Sequence, residues 1–318
     1  MSSPKISVVI PNYNHGNHLK QRIDTVLNQT YNNIEVIILD DCSTDNSREI
    51  IKVYDRHPLV KHIIFNDLNT GNPFKQWKKG IELSSGEWIW LAESDDYADE
   101  RFLQIMISAL DNHTNVGLVY CDSNIVSNDV VAEKTFATLK NKKFKTNRWS
   151  KNYCNSGINE IENFLLPGRT INNTSAVLFN KKALMEADPF DVVFRYIGDK
   201  YTFIKVLATT NVIYIKESLN YYRNPFNTKH ANKYIFYFYE QFLVFDWVHK
   251  NLKISNQEKF LEGFYSNTSN SLFRYWNPLK FSLYKKLLKQ NPNLLFKSIS
   301  YNLLQSIRSV FSHTQLKL

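Results

Sequence analysis

The sequence predicts an α/β protein: a mostly parallel sheet with helices on both faces, followed by a helical C-terminal region. Three observations carry this. Short β-branched runs alternate with helix-period segments over the first 122 residues. Acidic clusters follow two of those runs directly. Late in the chain the strand signals stop, and aromatic, basic segments of helical spacing take over.

In order, Lys5–Pro11 (KISVVIP) reads as a buried strand ending in proline. His15–Thr30 places Leu19, Ile23, Val26 and Leu27 at helical spacing. Ile34–Asp40 (IEVIILD) is a second buried strand, and Ser43-Thr44-Asp45 caps a helix running to about Tyr54. Val60–Phe65 is a strand, Phe74–Leu83 a helix and Glu87–Ala92 (EWIWLA) a strand. A helix near Glu100–Leu110 leads to the strand Val116–Cys121. Asn124–Ile158, polar and rich in Lys and Asn, predicts a long excursion without regular structure. Ser175–Phe179 is a strand, Lys181–Ala187 and Lys200–Ala208 are helices, and Val212–Lys216 and Leu219–Arg223 are two short strands. Helices at about Lys233–Lys250, Asn256–Tyr275, Leu279–Lys289 and Leu294–Phe311 complete the chain.

The composition narrows the class. A hydrophobic share of 43% over 318 residues supplies an ordinary core, and the 14% aromatic share is weighted toward the end. Cys42, Cys121 and Cys154 have no metal-ligand spacing and fit a reducing compartment. The first residues lack the basic n-region and apolar length of a secretory signal, and no stretch is long and apolar enough to span a bilayer. The expected location is therefore cytoplasmic. Net charge is +9, and from Tyr234 onward 11 Lys and Arg face only 4 Asp and Glu. That quarter carries most of the excess.

Open parallel sheets bind ligands beyond the carboxyl ends of their strands. Here those ends read Pro11-Asn12-Tyr13-Asn14, Asp40-Asp41-Cys42-Ser43 and Glu93-Ser94-Asp95-Asp96. Carboxylates converging on one crevice repel unless a cation or a donor-rich ligand lies between them. A hard divalent ion with oxygen ligands, Mg²⁺ or Mn²⁺, suits such a set. Neither a G-x-G-x-x-G nor a G-x-x-x-x-G-K-[ST] loop is present, which excludes a dinucleotide fingerprint and a P-loop ATPase.

The ordered runs Ser7–Asn14 (SVVIPNYN), Leu27–Tyr31 (LNQTY), Glu35–Asp45 (EVIILDDCSTD) and Gly86–Asp96 (GEWIWLAESDD) resemble the family 2 glycosyltransferases, over about residues 5–225. The resemblance implies a GT-A fold, a nucleoside-diphosphate-sugar donor, a divalent metal and inversion at the anomeric carbon. By position, Pro11 and Tyr13 would line the base pocket, and Asp41 would accept a hydrogen bond from the base, commonly uracil. Asn72 and Lys75 would lie near the nucleotide and its phosphates. Asp95 would ligate the metal, with Ser94 and Asp96 close to the ribose and sugar. Glu93 stands where the family usually carries aspartate.

The same resemblance assigns the base. A one-step displacement requires the acceptor hydroxyl to lose its proton as it attacks, and a carboxylate serves that role. Ile197-Gly198-Asp199, opening a helix in the acceptor half, makes Asp199 the candidate, and Asp199 would also suit a helix N-cap. His230 follows Tyr222-Arg223 at a stretched version of the Y-R-x-H spacing of many relatives, and is a weaker candidate at the metal or diphosphate.

The division expected is 1–230 for the catalytic domain, with 1–122 binding nucleotide and 123–230 the acceptor, and 231–318 for the helical region. The aromatic helix Tyr234–Trp247, the stripe Leu295, Ile299, Leu303 with Phe296, Ile307 and Phe311, and Lys285, Lys286 and Lys289 suit packing on the catalytic domain or a second copy. They equally suit an anionic inner membrane leaflet, where lipid-linked acceptors reside. No nucleic-acid module is present. The rival from another class is a catalytically silent sugar-nucleotide-binding or scaffold protein of the same fold, and Glu93 is the residue that raises it.

Overall fold

Seven consecutive buried residues, Ile6–Asn12, form β1 at the centre of a ten-stranded sheet. A strand buried on both faces must be apolar at every position, and this run is nearly so. The computed structural model describes residues 3–188, 190, 193–223, 233–272, 285–297, 299–301 and 303–304. After β1 come α1 (Gly16–Leu27), β2 (Ile34–Asp40), α2 (Ser47–Lys52), β3 (Val60–Phe65), α3 (Pro73–Leu83), β4 (Trp88–Leu91), β5 (Tyr97–Ala98) and α4 (Phe102–Ser108). They are followed by β6 (Val116–Ser127), β7 (Val130–Val131), α5 (Phe136–Phe144), β8 (Tyr153–Ser156), α6 (Gly157–Glu160), β9 (Val177–Asn180) and α7 (Lys181–Ala187). Then come α8 (Gly198–Leu207), β10 (Asn211–Arg223), α9 (Lys233–Asn251) and α10 (Gln257–Leu272).

The strand order is β3-β2-β1-β4-β9-β6-β10-β5, with β7 on β6 and β8 on β10. The longest ladders, β1 with β2 and β6 with β10, are parallel, while β9 runs against both β4 and β6. Alternate residues of β1 serve the two faces. Val8 and Ile10 join Leu19 and Ile23 of α1 and Phe102 and Met106 of α4 in one core. Val9 faces α3, where Gly80 sits so close that a Cβ would collide with the valine methyls. Helices therefore cover both faces, as the alternating periods predicted.

Three local expectations change. The helix after β2 is shorter, because Asp45 accepts from the amides of both Ser47 (3.0 Å) and Gly16 (2.8 Å) and the chain turns on that carboxylate first. The two strands expected over 212–223 are one strand, β10, with register shifts between Ile215 and Asn220. The segment 124–158 is not irregular: β6 continues to Ser127, α5 follows, and β8 pairs antiparallel with β10. Its anchor is Lys140, 5% exposed, whose ammonium lies 5.1–5.4 Å from the ring centres of Tyr120, Trp149 and Tyr214. A desolvated ammonium is held by the negative faces of the rings. Composition reads such a segment as polar because it counts Lys140 as a surface residue.

By contacts the chain divides into two units, Met1–Ile158 with Ile171–Thr228, and Asn159–Thr170 with Lys229–Leu318. In the second, Phe238, Phe242 and Phe245 of α9 are buried, and their rings meet Phe260 and Phe264 of α10 at 5.1–6.1 Å. The expected last helices are described over 285–290 and 292–297, and their remaining parts lie partly outside the described residues. Among the described residues no helix is long and apolar enough to cross a membrane.

Candidate active site

β1, β2 and β4 are parallel, so their carboxyl ends reach one edge of the sheet. β9 runs the other way and therefore begins at that edge, bringing Asn173 and Ser175 there. A cavity of about 370 Å³ opens at this edge, lined by Pro11, Asn12, Tyr13, His15, Asp41, Asn69, Gly71, Asn72, Pro73, Gln76, Glu93 and Ser94.

Its floor is tied by hydrogen bonds that cross from strand to strand. Asn12 lies opposite Asp40 in the β1–β2 register and donates to it at 2.9 Å and to Ser43 at 3.1 Å. Asp41, buried, accepts from Asn66 Nδ2 (2.8 Å), Thr70 N (3.0 Å), Thr70 Oγ1 (2.8 Å) and Gln76 Nε2 (2.9 Å). Four donors fill the roughly four acceptor positions of a carboxylate, so Asp41 holds the 66–76 loop as a wall of the cavity. Asn72 caps α3 through Phe74 N at 2.9 Å and donates to Phe194 O at 3.1 Å. Lys75 is exposed on α3 and is absent from the lining.

The 93–96 turn forms the other wall. Trp77 Nε1 donates to Glu93 Oε1 at 2.7 Å, and His15 Nδ1 meets Ser94 Oγ at 2.8 Å. Burial, and then the neighbouring Asp95 charge, push the Glu93 carboxyl up to about 8. Asp96 is buried, accepts from Asn173 Nδ2 (3.2 Å) and Arg223 N (3.0 Å), and is raised by burial and by Asp95. Asp95 differs from both: its carboxylate accepts no hydrogen bond from another described residue.

Two arginines secure this turn. Arg22, fully buried on α1, donates Nε to Glu93 O at 2.8 Å and lies 5.5 Å from the Trp90 ring centre. Burial pulls its guanidinium down to about 10, against the opposing pull of Asp96, Asp95 and Glu93. It stays charged at neutral pH, as the counter-charge a buried acidic cluster requires. Arg223, at the end of β10, donates to Asp95 O at 2.8 Å and packs its guanidinium 4.8 Å from the Tyr97 ring. Tyr97 in turn stacks on Tyr221 at 4.4 Å.

Among the described residues no three His, Cys, Asp or Glu side chains converge as a metal-binding group. The chemistry of a hard cation still fits Asp95. Mg²⁺ is typically held by one or two carboxylates, with substrate phosphates and water completing its shell, and Asp95 offers an oxygen pair that no donor among the described residues occupies.

Outside the cavity lining, Asp199 lies in the first turn of α8, is buried, and accepts from Lys200 N at 2.7 Å. The helix's N-cap is Ile197, not Asp199. Gly198 abuts the Phe74 ring with no room for a Cβ, which sets the start of α8 beside the start of α3, whose Asn72 and Pro73 line the cavity.

Of the sequence-predicted residues, Pro11, Tyr13, Asp41, Asn72, Glu93 and Ser94 share the cavity lining, while Lys75, Asp95, Asp96 and Asp199 lie outside it. His230 lies outside the described residues. Sequence reasoning missed His15, Gln76, Arg22 and Arg223. Arg22 left a signal: it stands among Leu19, Ile23 and Val26 on the buried stripe of α1, where a charge has no ordinary place.

A nucleotide-sized cavity at the switch from parallel strands to β9, with an uncommitted aspartate beside it, defines a GT-A type of sheet, and solved structures share that fold. The sequence profile of Glycosyl transferase family 2 matches residues 7–187, and the chain belongs to that family. Staphylococcus aureus TarS in complex with UDP-GlcNAc superposes with a TM-score of 0.67 at 16% identity, over 90% of this chain and 81% of that one. The mannosyltransferase PcManGT from Pyrobaculum calidifontis, in complex with GDP-Man and Mn²⁺, gives 0.59 at 15% identity, over 98% and 84%. Glycosyltransferase GlyG of Streptococcus pneumoniae is 36% identical over 104 residues, 33% of this chain and 34% of GlyG. The match thus spans about a third of that curated relative.

Proposed function

We propose that this chain is an inverting glycosyltransferase that moves a sugar from a nucleoside-diphosphate-sugar, of the uridine type, to an acceptor hydroxyl. The observation that carries the reading is the cavity walled by Pro11, Tyr13, Asp41 and Asn72, with the uncommitted Asp95 carboxylate on the adjoining turn. Family membership supports the reaction class. TarS, named a poly(ribitol-phosphate) beta-N-acetylglucosaminyltransferase, supports a surface-polysaccharide acceptor, either a saccharide or a lipid-linked saccharide reached from the cytoplasmic side.

In this reading Tyr13 and Pro11 receive the base, and Asp41 accepts from its ring N–H once one of the loop donors yields. The acceptor oxygen attacks the anomeric carbon, the bond to the diphosphate oxygen breaks, and the hydroxyl proton passes to the Asp199 carboxylate. Mn²⁺ or Mg²⁺, held by Asp95, would offset the charge of the leaving diphosphate.

The test is thermal stabilisation by a panel of nucleotide-sugars with and without Mn²⁺, since a ligand that binds only the folded state raises its stability. A uridine nucleotide-sugar should stabilise the protein most, with a metal-dependent part that Asp95→Asn removes. Equal stabilisation by adenosine and uridine nucleotides defeats the uridine assignment. Full donor binding without transfer to any acceptor would favour the catalytically silent reading.

A further inference from the structure

Asp41 carries its donors unevenly. Oδ1 takes Asn66 Nδ2 at 2.8 Å, Gln76 Nε2 at 2.9 Å and Thr70 N at 3.0 Å, the last shared with Oδ2 at 3.1 Å. Oδ2 also takes Thr70 Oγ1 at 2.8 Å. Each carboxylate oxygen offers about two acceptor positions, so Oδ1 is full. A base N–H entering the cavity must displace one of its donors.

Those donors are not held alike. Asn66 is tied at both ends of its amide, because its Oδ1 accepts from Lys79 Nζ at 2.7 Å. Thr70 is tied twice to the same carboxylate, through its backbone N–H and its hydroxyl. Gln76 is held at one end only. Its Oε1 is buried and accepts no hydrogen bond among the described residues. Its Nε2 has a second acceptor in reach, Thr70 Oγ1 at 3.2 Å, which can hold an N–H when Asp41 lets go. Of the three residues, only Gln76 shares the cavity lining with Asp41.

We propose, resting on the uridine reading of this cavity, that Gln76 is the donor that yields. It fills the base position of Asp41 while the cavity is empty and gives it up to the ring N–H of uracil. An internal competitor of this kind covers a buried carboxylate between turnovers. It also retakes its place as the spent nucleotide leaves, which favours release. Cytosine has no proton on the matching ring nitrogen and gains nothing from the exchange.

Calorimetry with Mn²⁺ compares UDP and CDP, which share ribose and diphosphate, on the parent and on Gln76→Leu. The parent should prefer UDP. The variant, close in size but without a donor, should bind UDP roughly threefold to tenfold more tightly than the parent, the worth of one competing hydrogen bond. Its CDP affinity should not change. A side chain that merely supported the wall would instead weaken both nucleotides alike when removed. Crystal structures of the parent with and without UDP give a second measurement that needs no variant. With UDP bound, the Gln76–Asp41 hydrogen bond should be broken and those from Asn66 and Thr70 kept. UDP affinity unchanged or lowered in folded Gln76→Leu, a gain that CDP shares, or a UDP complex with Gln76 still on Asp41 overturns the proposal. A parent that binds neither nucleotide, or both equally, overturns the uridine reading itself and the role of Gln76 with it.

Discussion

Trp77 Nε1 donates to Glu93 Oε1 at 2.7 Å, joining the middle of α3 to the turn that follows β4. The extra methylene of glutamate carries its carboxyl to the indole, while Arg22 holds the same residue's carbonyl at 2.8 Å. Glu93 therefore pins the 93–96 turn to α3 through its carboxyl and to α1 through its carbonyl.

This pairing predicts a coupling. Trp77→Phe leaves the carboxyl without its donor, and Glu93→Asp withdraws the acceptor. Each should destabilise the metal-free protein by about 1–3 kcal/mol. Because both remove one contact, the double variant should fall short of the sum by roughly 0.5–3 kcal/mol. Denaturant unfolding of the four proteins measures it, and strict additivity would show the contact to be idle.

Asp199→Asn separates binding from turnover. The variant keeps size and shape but takes no proton at neutral pH, so transfer should fall by about 10²–10⁴-fold. Donor affinity by calorimetry should stay within about threefold, roughly 0.7 kcal/mol. A near-native rate clears Asp199 of the role, and a matching loss of donor binding makes it a structural residue.

Cys42 follows Asp41 with φ at 63°, in the left-handed region, and its thiol reaches Asp67 O at 3.3 Å. A side chain there costs roughly 1–2 kcal/mol, whereas glycine loses about 0.4–1 kcal/mol through a freer unfolded chain. Cys42→Gly should therefore raise stability by about 0.5–1 kcal/mol in chemical unfolding. A net loss would show that the thiol contact outweighs the strain.

Glu35 supplies the pH dependence. Burial alone would raise it, but Lys5, Ser7 and Ser85 together draw the carboxyl down to about 2 from 4.5. A carboxylate lowered in the folded state binds its proton later than in the unfolded chain, so stability is lost as pH falls from about 4.5 toward 2. Glu35→Gln should be less stable than the parent at pH 7, and the gap should close over that window. Parallel stability curves down to pH 2 contradict the assignment.

The first 122 residues were legible because their elements repeat two periods with clear punctuation. The continuous β-branched run of β1 announces a buried strand, and Leu19, Ile23 and Val26 at helical spacing announce α1. The acidic strand ends pointed to the edge where the cavity opens for the same reason: strand direction follows from the βα alternation. Partners across the fold were not legible. Arg223 reaches Asp96 from 127 residues away, and Gln76 reaches Asp41 through a loop whose course no local pattern sets. The segment 124–158 escaped because its order rests on Lys140, a residue whose role depends on three rings brought from three separate stretches.

That enclosed lysine has a practical use. An amine-acylating reagent meets Lys140 only when α5 lifts away from Tyr120, Trp149 and Tyr214, whereas Lys75 and Lys78 react at once. The rate at which Lys140 acquires the label, relative to an exposed lysine, is then a direct reading of how often this segment opens without the whole domain unfolding. The three rings around Lys140 thus double as a built-in clock for local breathing of this segment.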